Sequence, residues 1–267
     1  MEINWIAYND PLRLGFFIVA FIIFALAEYQ WPRKVLTQKK STRWASNIGL
    51  VFFNSLILRL TLPLLAIDAA FIAQQEQWGL FNYLNTPSFL TGLLSILLLD
   101  WLIYWQHRAF HRVPLVWRLN RMHHAHQDID VTTGTRFHPI EIIISMLVKI
   151  AAIGLLGIPV EAVILFEITL NVSAMFNHSN LFIPTWLDRY IRVLLVTPDF
   201  HRVHHSVHIS EMHNNYGFFL SIWDRISKTY LVKPIDGHKE MKIGLGFFRK
   251  EKEQRLDKML TQPFRNK

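Results

Sequence analysis

The sequence predicts an all-α integral membrane protein, with about four transmembrane helices and a cytoplasmic, histidine-rich helical cap. Three observations lead to this prediction. Apolar residues make up 51% of the 267-residue chain, and they occur in long blocks. Basic residues are concentrated in loops between those blocks and in the C-terminal part. The chain contains 13 histidines, all but His238 between residues 107 and 213, and no cysteine.

The apolar blocks have the length of membrane spans. A helix needs about 20 apolar residues to cross a bilayer core of ~30 Å. Four regions come near this length: residues 14–31, 48–67, 89–105 and 142–166. The fourth contains Gly157, Ile158 and Pro159, a combination that interrupts a helix. We therefore expect two shorter helices, continuing to about Met175, as a hairpin that enters the bilayer and returns. One kinked span is the alternative.

The distribution of charge predicts the orientation of these spans. The loop between the first two carries basic residues without an acidic one: Arg33, Lys34, Lys39, Lys40 and Arg43. The following loop, 68–88, has no lysine or arginine. By the positive-inside rule, the first loop, the histidine-rich region and the C-terminal tail lie in the cytoplasm. We expect a multi-pass protein of the bacterial inner membrane, or of the endoplasmic reticulum in a eukaryote.

The composition predicts one domain and a membrane as its partner. The net charge of +8 does not require a nucleic acid, because basic loops beside a hydrophobic span bind anionic lipid. We expect a single membrane-embedded catalytic domain at 1–237, with a histidine-rich core at about 100–230. Residues 238–267 form a polar, basic and peripheral tail in this interpretation. The mixture of apolar and basic residues at 185–197 predicts a short helix that lies either in the membrane interface or against the domain.

The spacing of the histidines predicts a metal site. His107 and His111 are four residues apart, and so share one face of a helix. His201, His204 and His205 likewise share one helical face, because they are spaced by three and four residues. His123 and His124 form an adjacent pair. Without cysteine, iron–sulfur clusters and thiolate zinc sites are excluded, and imidazole and carboxylate remain as ligands. One tetrahedral zinc needs only four ligands, so this number of histidines indicates two metals.

Asp100 interrupts the third apolar region, where a carboxylate is costly unless it has a partner. It shares a helical stripe with Tyr104, His107 and His111. We expect Asp100 and Tyr104 to lie just behind the ligands, with Asp100 accepting the second N–H of a ligand histidine. The alternative is an interfacial aspartate paired with an arginine.

These motifs resemble the fatty-acid hydroxylase/sterol desaturase superfamily of membrane di-iron enzymes, from about Asp100 to Tyr230. The family signature is HxxxH, then HxxHH, then a second HxxHH, and the first and last boxes are present as HRAFH and HRVHH. The resemblance implies eight metal ligands: His107, His111, His123, His124, His178, His201, His204 and His205. The middle box here reads NRMHH, with Asn120 in place of its first histidine. The missing ligand is then Asn120 itself or a water on it, His126 or His138.

The resemblance also implies a reaction. Two iron ions, for which zinc can substitute in a purified sample, activate O₂ and oxidise a C–H bond of a lipid to an alcohol or an alkene. Electrons come from an external donor of the cytochrome or ferredoxin type. Two other functions are open: a zinc-dependent membrane hydrolase, although no HExxH motif is present, and a metal transporter, although the first two spans contain no histidine.

Overall fold

The computed structural model describes residues 5–266, and the regular secondary-structure elements of this range are all helices. The α-helices are α1 (Trp5–Gln30), α2 (Lys40–Thr61), α3 (Ala66–Gln75), α4 (Leu80–Tyr83), α5 (Ser88–Arg112), α6 (Pro114–His124), α7 (Pro139–Leu156), α8 (Val160–Asn177), α9 (Thr185–Ile191), α10 (Pro198–His204), α11 (Ile209–Met212), α12 (Ile222–Ile226), α13 (Gly237–Glu240) and α14 (Leu256–Met259). Short 3₁₀ helices cover Val131–Thr135, Glu251–Gln254 and Gln262–Phe264.

Five helical segments within 5–266 are long and apolar enough to cross a membrane: Asn9–Gln30, Lys40–Tyr83, Ser88–Arg112, Pro139–Leu156 and Val160–Asn177. Large apolar side chains on these segments face outward, including Phe52, Phe89 and Leu155, which are 72%, 84% and 75% exposed. Water would not favour such a surface, whereas lipid would. The predicted all-α membrane fold is confirmed.

The fourth apolar region is two helices, α7 and α8, as the sequence predicts. Gly157 ends α7 in the left-handed conformation, with φ at +68°, and Pro159 precedes α8. A side chain at Gly157 would lie 2.4 Å from the backbone oxygen of Trp78. Glycine is therefore required there both for its backbone angles and for close packing.

The second apolar region differs from its predicted limits of 48–67. The helix begins earlier, at Lys40, and α2 ends at Thr61. Leu62 is extended because Pro63 follows it, and a residue before proline disfavours the helical conformation. Similarly, α9 ends at Ile191 and not at residue 197, since Val196 leaves the helix and donates to the Phe219 oxygen.

Residues 113–138 and 178–266, which we call the cap, pack on one end of the long helices. Buried polar contacts fix the cap to these helices. Glu28 of α1 accepts hydrogen bonds from the backbone N–H groups of Val131 and Asn180 at 3.0 and 2.9 Å. Arg43 of α2 pairs with Asp128 and with Asp130. Breaking such a buried pair leaves an uncompensated charge, so these contacts hold the cap in a defined position.

The tail, predicted as residues 238–267, packs on the rest of the cap. Met241, Met259 and Gln262 are completely buried. Gln254 accepts a hydrogen bond of 2.7 Å from the Arg136 guanidinium. Isolated apolar residues within the polar stretch, such as Met259, provide this packing. The domain boundary at 237/238 stays a prediction, but the tail is not peripheral to the cap.

Candidate metal centre

The predicted ligand histidines come from four elements of the fold. His107 and His111 lie one turn apart near the end of α5. The last two residues of α6 are His123 and His124, and His178 directly follows α8. The remaining three lie on or directly after α10: His201, His204 and His205. All eight are buried.

The structure brings these eight histidines together in two groups of four. Site A contains His107, His111, His124 and His204, and site B contains His123, His178, His201 and His205. Within each group, one ring nitrogen of every histidine lies within 4.8 Å of the others. The rings of His124 and His205 stack at 4.5 Å between centroids, so the two sites adjoin.

Two of the sequence boxes are divided between the sites. His123 and His124 turn to different sites because successive residues project in different directions around a helix. In the last box, His201 and His205 belong to site B, whereas His204 belongs to site A. Histidines four residues apart, His107 with His111 and His201 with His205, lie in the same site. Residues three apart, His201 and His204, are separated.

Backbone carbonyls define the protonation of four of these rings. The Nδ1 atoms of His107, His123, His178 and His204 lie 2.8, 3.1, 2.8 and 2.8 Å from the oxygens of Tyr216, Arg136, Ala174 and Asn214. A carbonyl oxygen only accepts, so each Nδ1 carries the proton. The Nε2 atom of each neutral ring is left with a lone pair.

These lone pairs face one another at short range. In site A the Nε2 atoms of His107 and His204 are 3.1 Å apart. In site B the Nε2 atom of His178 lies 3.2, 3.1 and 3.2 Å from those of His123, His201 and His205. Two nitrogens at right angles, each ~2.1 Å from one ion, are separated by about 3.0 Å. The arrangement repels itself without a cation and fits a metal ion in each site.

The rings are also in the protonation state that metals require. Burial lowers the pKa of His178 to about 3. Burial, with repulsion between neighbouring rings, lowers the pKa of five further rings well below the usual value: His123, His124, His201, His204 and His205. They are neutral at physiological pH, and neutral imidazole is the form that binds a metal.

Orphaned polar atoms gather at site A. Neither ring nitrogen of His111 or of His124 has a hydrogen-bond partner among residues 5–266. The same is true of both polar side-chain atoms of Asn120, which is fully buried one turn before His124 on α6. Buried polar atoms without partners are rare and call for an explanation. An ion at site A explains those of the two histidines.

His126 lies outside both groups, but it contacts one of them. Its Nδ1 atom lies 3.0 Å from the Asp128 oxygen, and its Nε2 atom lies 2.9 Å from Nδ1 of His205. His126 therefore donates to the carbonyl and accepts the proton of His205, whose Nε2 atom faces site B. The structure places His126 as a residue that orients a candidate ligand.

His138 lies further away, at the start of α7. Its Nδ1 atom accepts from the backbone N–H of Ile140, and its Nε2 atom lies 3.2 Å from the Leu260 oxygen. Both nitrogens thus serve the cap of a helix and the contact with the tail. The structure does not bring His138 to either group.

Asp100 and Tyr104 have other partners than expected. Asp100 accepts hydrogen bonds from the indole N–H of Trp223 and the backbone N–H of Leu220, at 2.7 and 3.1 Å. It contacts neither a ligand histidine nor an arginine in the described hydrogen bonds and ion pairs. Tyr104 bonds through its hydroxyl to Thr229 at 2.8 Å. The expectation that Asp100 pairs with a ligand histidine, or alternatively with an arginine, is therefore corrected. Its carboxylate binds the segment after the last histidine box, and the Nδ1 atom of His107 bonds to the Tyr216 carbonyl instead.

One structural residue behind site A was not predicted. Asp224 accepts the backbone N–H groups of Tyr216 and Gly217 at 2.9 and 2.7 Å, and the Thr229 hydroxyl. It thereby holds the carbonyl that orients His107. The sequence segment that contains this aspartate, NNYGFFLSIWDR, does not by itself show its role.

A cavity of about 290 Å³ opens from site A into the long helices. His107 and Phe218 line this cavity, together with residues of α1, α2, α5, α7 and α8. Most of the lining is apolar: Phe17, Leu58, Ile103, Met146 and Leu170. Such a cavity suits an apolar chain that enters from the membrane.

Comparison with known proteins decides the family. The model of the family described as "Fatty acid hydroxylase" matches residues 92–229, which is more than half of the chain. The chain belongs to the fatty acid hydroxylase family. The resemblance in the histidine boxes is thereby confirmed, and this family member is an oxidoreductase.

Several curated proteins are similar to this family member. The ornithine lipid hydroxylase OlsE of Rhizobium tropici is 23% identical over 98% of the chain and 80% of its own length. The human alkylglycerol monooxygenase is 28% identical over 69% of the chain, but the match spans only 38% of that enzyme. A very-long-chain aldehyde decarbonylase of Oryza sativa is 29% identical over 52% of the chain and 23% of its own length. No solved structure matches the chain.

Proposed function

We propose that this protein oxidises a C–H bond of a membrane lipid with O₂, as a hydroxylase or a desaturase. One observation carries the proposal: two four-histidine sites adjoin each other, and His107 of site A lines a cavity among membrane-spanning helices. The similarity to a lipid hydroxylase and a monooxygenase points to the same chemistry.

The ligands of the proposed centre are the eight histidines of sites A and B. Two iron ions held there would supply the activation of O₂ that amino acid side chains cannot provide. Asn120 is a candidate for a ninth ligand, because its unpartnered oxygen is buried one turn before His124 on α6. His126 and the backbone carbonyls keep the Nε2 lone pairs directed into the two sites, where the ions would bind.

The protein's own part is to bind, orient and exclude water. The apolar cavity wall holds a lipid chain with one carbon near His107. Complete burial of site B keeps bulk water away from the reacting atoms. For hydroxylation, RH, O₂, two electrons and two protons give ROH and H₂O. The electrons come from an external cytochrome or ferredoxin, which we propose to dock on the cap.

The reaction is tested in bacteria that express the full chain under ¹⁸O₂. Lipids are extracted and analysed by mass spectrometry. A lipid that gains ¹⁸O or loses two hydrogens is expected with wild type and not with His204→Ala. The matched control is His208→Ala, because His208 is 40% exposed, pairs with Asp236 and lies outside both sites. Oxidation that persists in His204→Ala would contradict the proposal.

We further propose that the cap faces the cytoplasm of a bacterial inner membrane. The native chain has no cysteine, so single cysteines report topology without background. Glu76→Cys in the loop after α3 should react with an impermeant maleimide in intact cells. Lys252→Cys in the tail should react only after permeabilisation. The opposite pattern would place the histidine sites outside.

A further inference from the structure

A charged cluster lies in the cavity wall, away from the histidines. Lys149 of α7 donates to Glu167 of α8 at 2.6 Å, and Arg13 of α1 lies 2.9 Å from the other oxygen of Glu167. Glu167 precedes His178 by 11 residues on the same helix, which is about 16 Å along its axis. All three residues line the cavity. The cluster is therefore at membrane depth, well separated from site B.

The cluster carries one more positive than negative charge. The Lys149 and Glu167 side chains are 11% and 6% exposed, and Arg13 is 31% exposed. Asp10 lies 3.7 Å from Arg13, but it is 69% exposed and also faces Arg59 at 3.8 Å. When Asp10 and Arg59 are counted as well, the excess is still one positive charge. An unbalanced charge at this depth is costly and marks a site for a partner of opposite sign.

Unpartnered polar atoms lie between the cluster and the cap. Asn54 Oδ1, Gln106 Oε1 and Glu141 Oε2 are buried and have no hydrogen-bond partner among residues 5–266, and all three residues line the cavity. Arg13 Nε, in the cluster, is also without a partner in that range. A pocket that only held hydrocarbon would not need such atoms. Their presence indicates a ligand with polar groups as well as an apolar chain.

We propose that Arg13, Lys149 and Glu167 bind the anionic group of a lipid, a carboxylate or a phosphate, whose chain runs through the cavity to His107. Arg13 and Lys149 contact the anion, and Glu167 holds the two cations in place. The partial exposure of Arg13 provides the opening to the bilayer. The position of the cluster in the cavity relative to His107 then selects which carbon reaches site A. The assignment of this ligand as a substrate rests on the proposed oxidation.

Binding of three C16 probes to the purified full chain tests the assignment. Hexadecyl phosphate, hexadecanoate and hexadecanol share one chain and differ in charge, and inorganic phosphate supplies the anion without a chain. At pH 8, wild type should bind both anionic lipids at least tenfold more tightly than the alcohol. Lys149→Met should lose this preference while its affinity for hexadecanol is unchanged.

Further variants separate binding from folding. Lys149→Arg should keep the preference, and so should Lys233→Met, which removes an exposed cation outside the cavity. Glu167→Gln, which adds one positive charge, should tighten binding of the anionic lipids. Equal affinity of wild type for all three lipids would overturn the proposal. Equal weakening of all three in Lys149→Met would show a structural ion pair instead.

Two more outcomes concern the ligand and the reaction. If inorganic phosphate displaced hexadecyl phosphate at equal concentration, the site would take a free anion, and the lipid would be excluded. The binding assay uses neither O₂ nor reductant. A protein that prefers anionic lipids but oxidises none would therefore refute the proposed reaction and leave this site intact. Oxidation without a charge preference would refute this site alone.

Discussion

Replacement of His126 is predicted to weaken one metal site and leave the other unchanged. His126 is 1% exposed and lies between the Asp128 carbonyl and His205. His126→Leu fills similar space but cannot accept the Nδ1 proton of His205. That proton then has no acceptor, and the ring of His205 loses the contact that directs its Nε2 atom into site B.

Two independent magnitudes agree on the size of the effect. A buried donor left without a partner costs about 1–3 kcal/mol. Loss of a partner that orients a metal ligand weakens metal affinity about 10–100-fold, which is about 1.4–2.8 kcal/mol. We therefore expect His126→Leu to raise the dissociation constant of site B for Fe²⁺ by about 10–100-fold. His126→Gln should recover most of this loss, because its amide oxygen can accept the proton.

The assay is an anaerobic Fe²⁺ titration of the purified chain against a competing chelator, which resolves two dissociation constants. His208→Leu is the matched control, since it removes a histidine that is 40% exposed and outside both sites. Wild-type affinity at both sites in His126→Leu would refute the role of His126. So would a glutamine variant that binds as weakly as the leucine variant.

Three further predictions concern residues outside the two sites. A methyl group at Gly244, where φ is +96°, would lie 2.0 Å from the His126 oxygen, so Gly244→Ala should lower both Tm and metal content. Gly246→Ala, with nothing within 4 Å, should change neither. Met259 is fully buried, and Met259→Ala should cost about 2–5 kcal/mol in unfolding free energy, whereas a dispensable tail would show no loss. Burial raises the pKa of Asp224 to about 6, so the folded protein favours the protonated carboxyl group. The resulting stabilisation is complete below about pH 4 and is lost as the pH rises through 6. Relative to Asp224→Asn, wild type should lose up to ~3 kcal/mol over that interval in chemical denaturation, and equal slopes would contradict this.

The sequence was sufficient where local chemistry decides the structure. Gly157 and Pro159 stop a helix wherever they occur together, so the hairpin of α7 and α8 followed from them. The eight histidines were identified through their boxes and through the family resemblance. Pro63 was visible as well, but its effect in ending α2 at Thr61 was not anticipated.

The sequence was insufficient where contacts join distant segments. The division of His201, His204 and His205 between two sites depends on how α10 lies against α5 and α8. Asp100 accepts from Trp223, 123 residues later, and helical spacing carries no information about that pairing. The pairing of Lys149 with Glu167 across the hairpin, and with Arg13 from α1, is likewise a result of packing.

Iron stoichiometry of the purified chain tests the central claim, two four-histidine metal sites, most directly. Elemental analysis is made on wild type, on His111→Ala in site A and on His178→Ala in site B, after expression with ample iron. We expect two irons per chain in wild type and a loss of one in each variant, with the remaining iron bound at the other site. A wild-type chain that binds no metal, or single variants that keep the full metal content, would contradict the two-site arrangement.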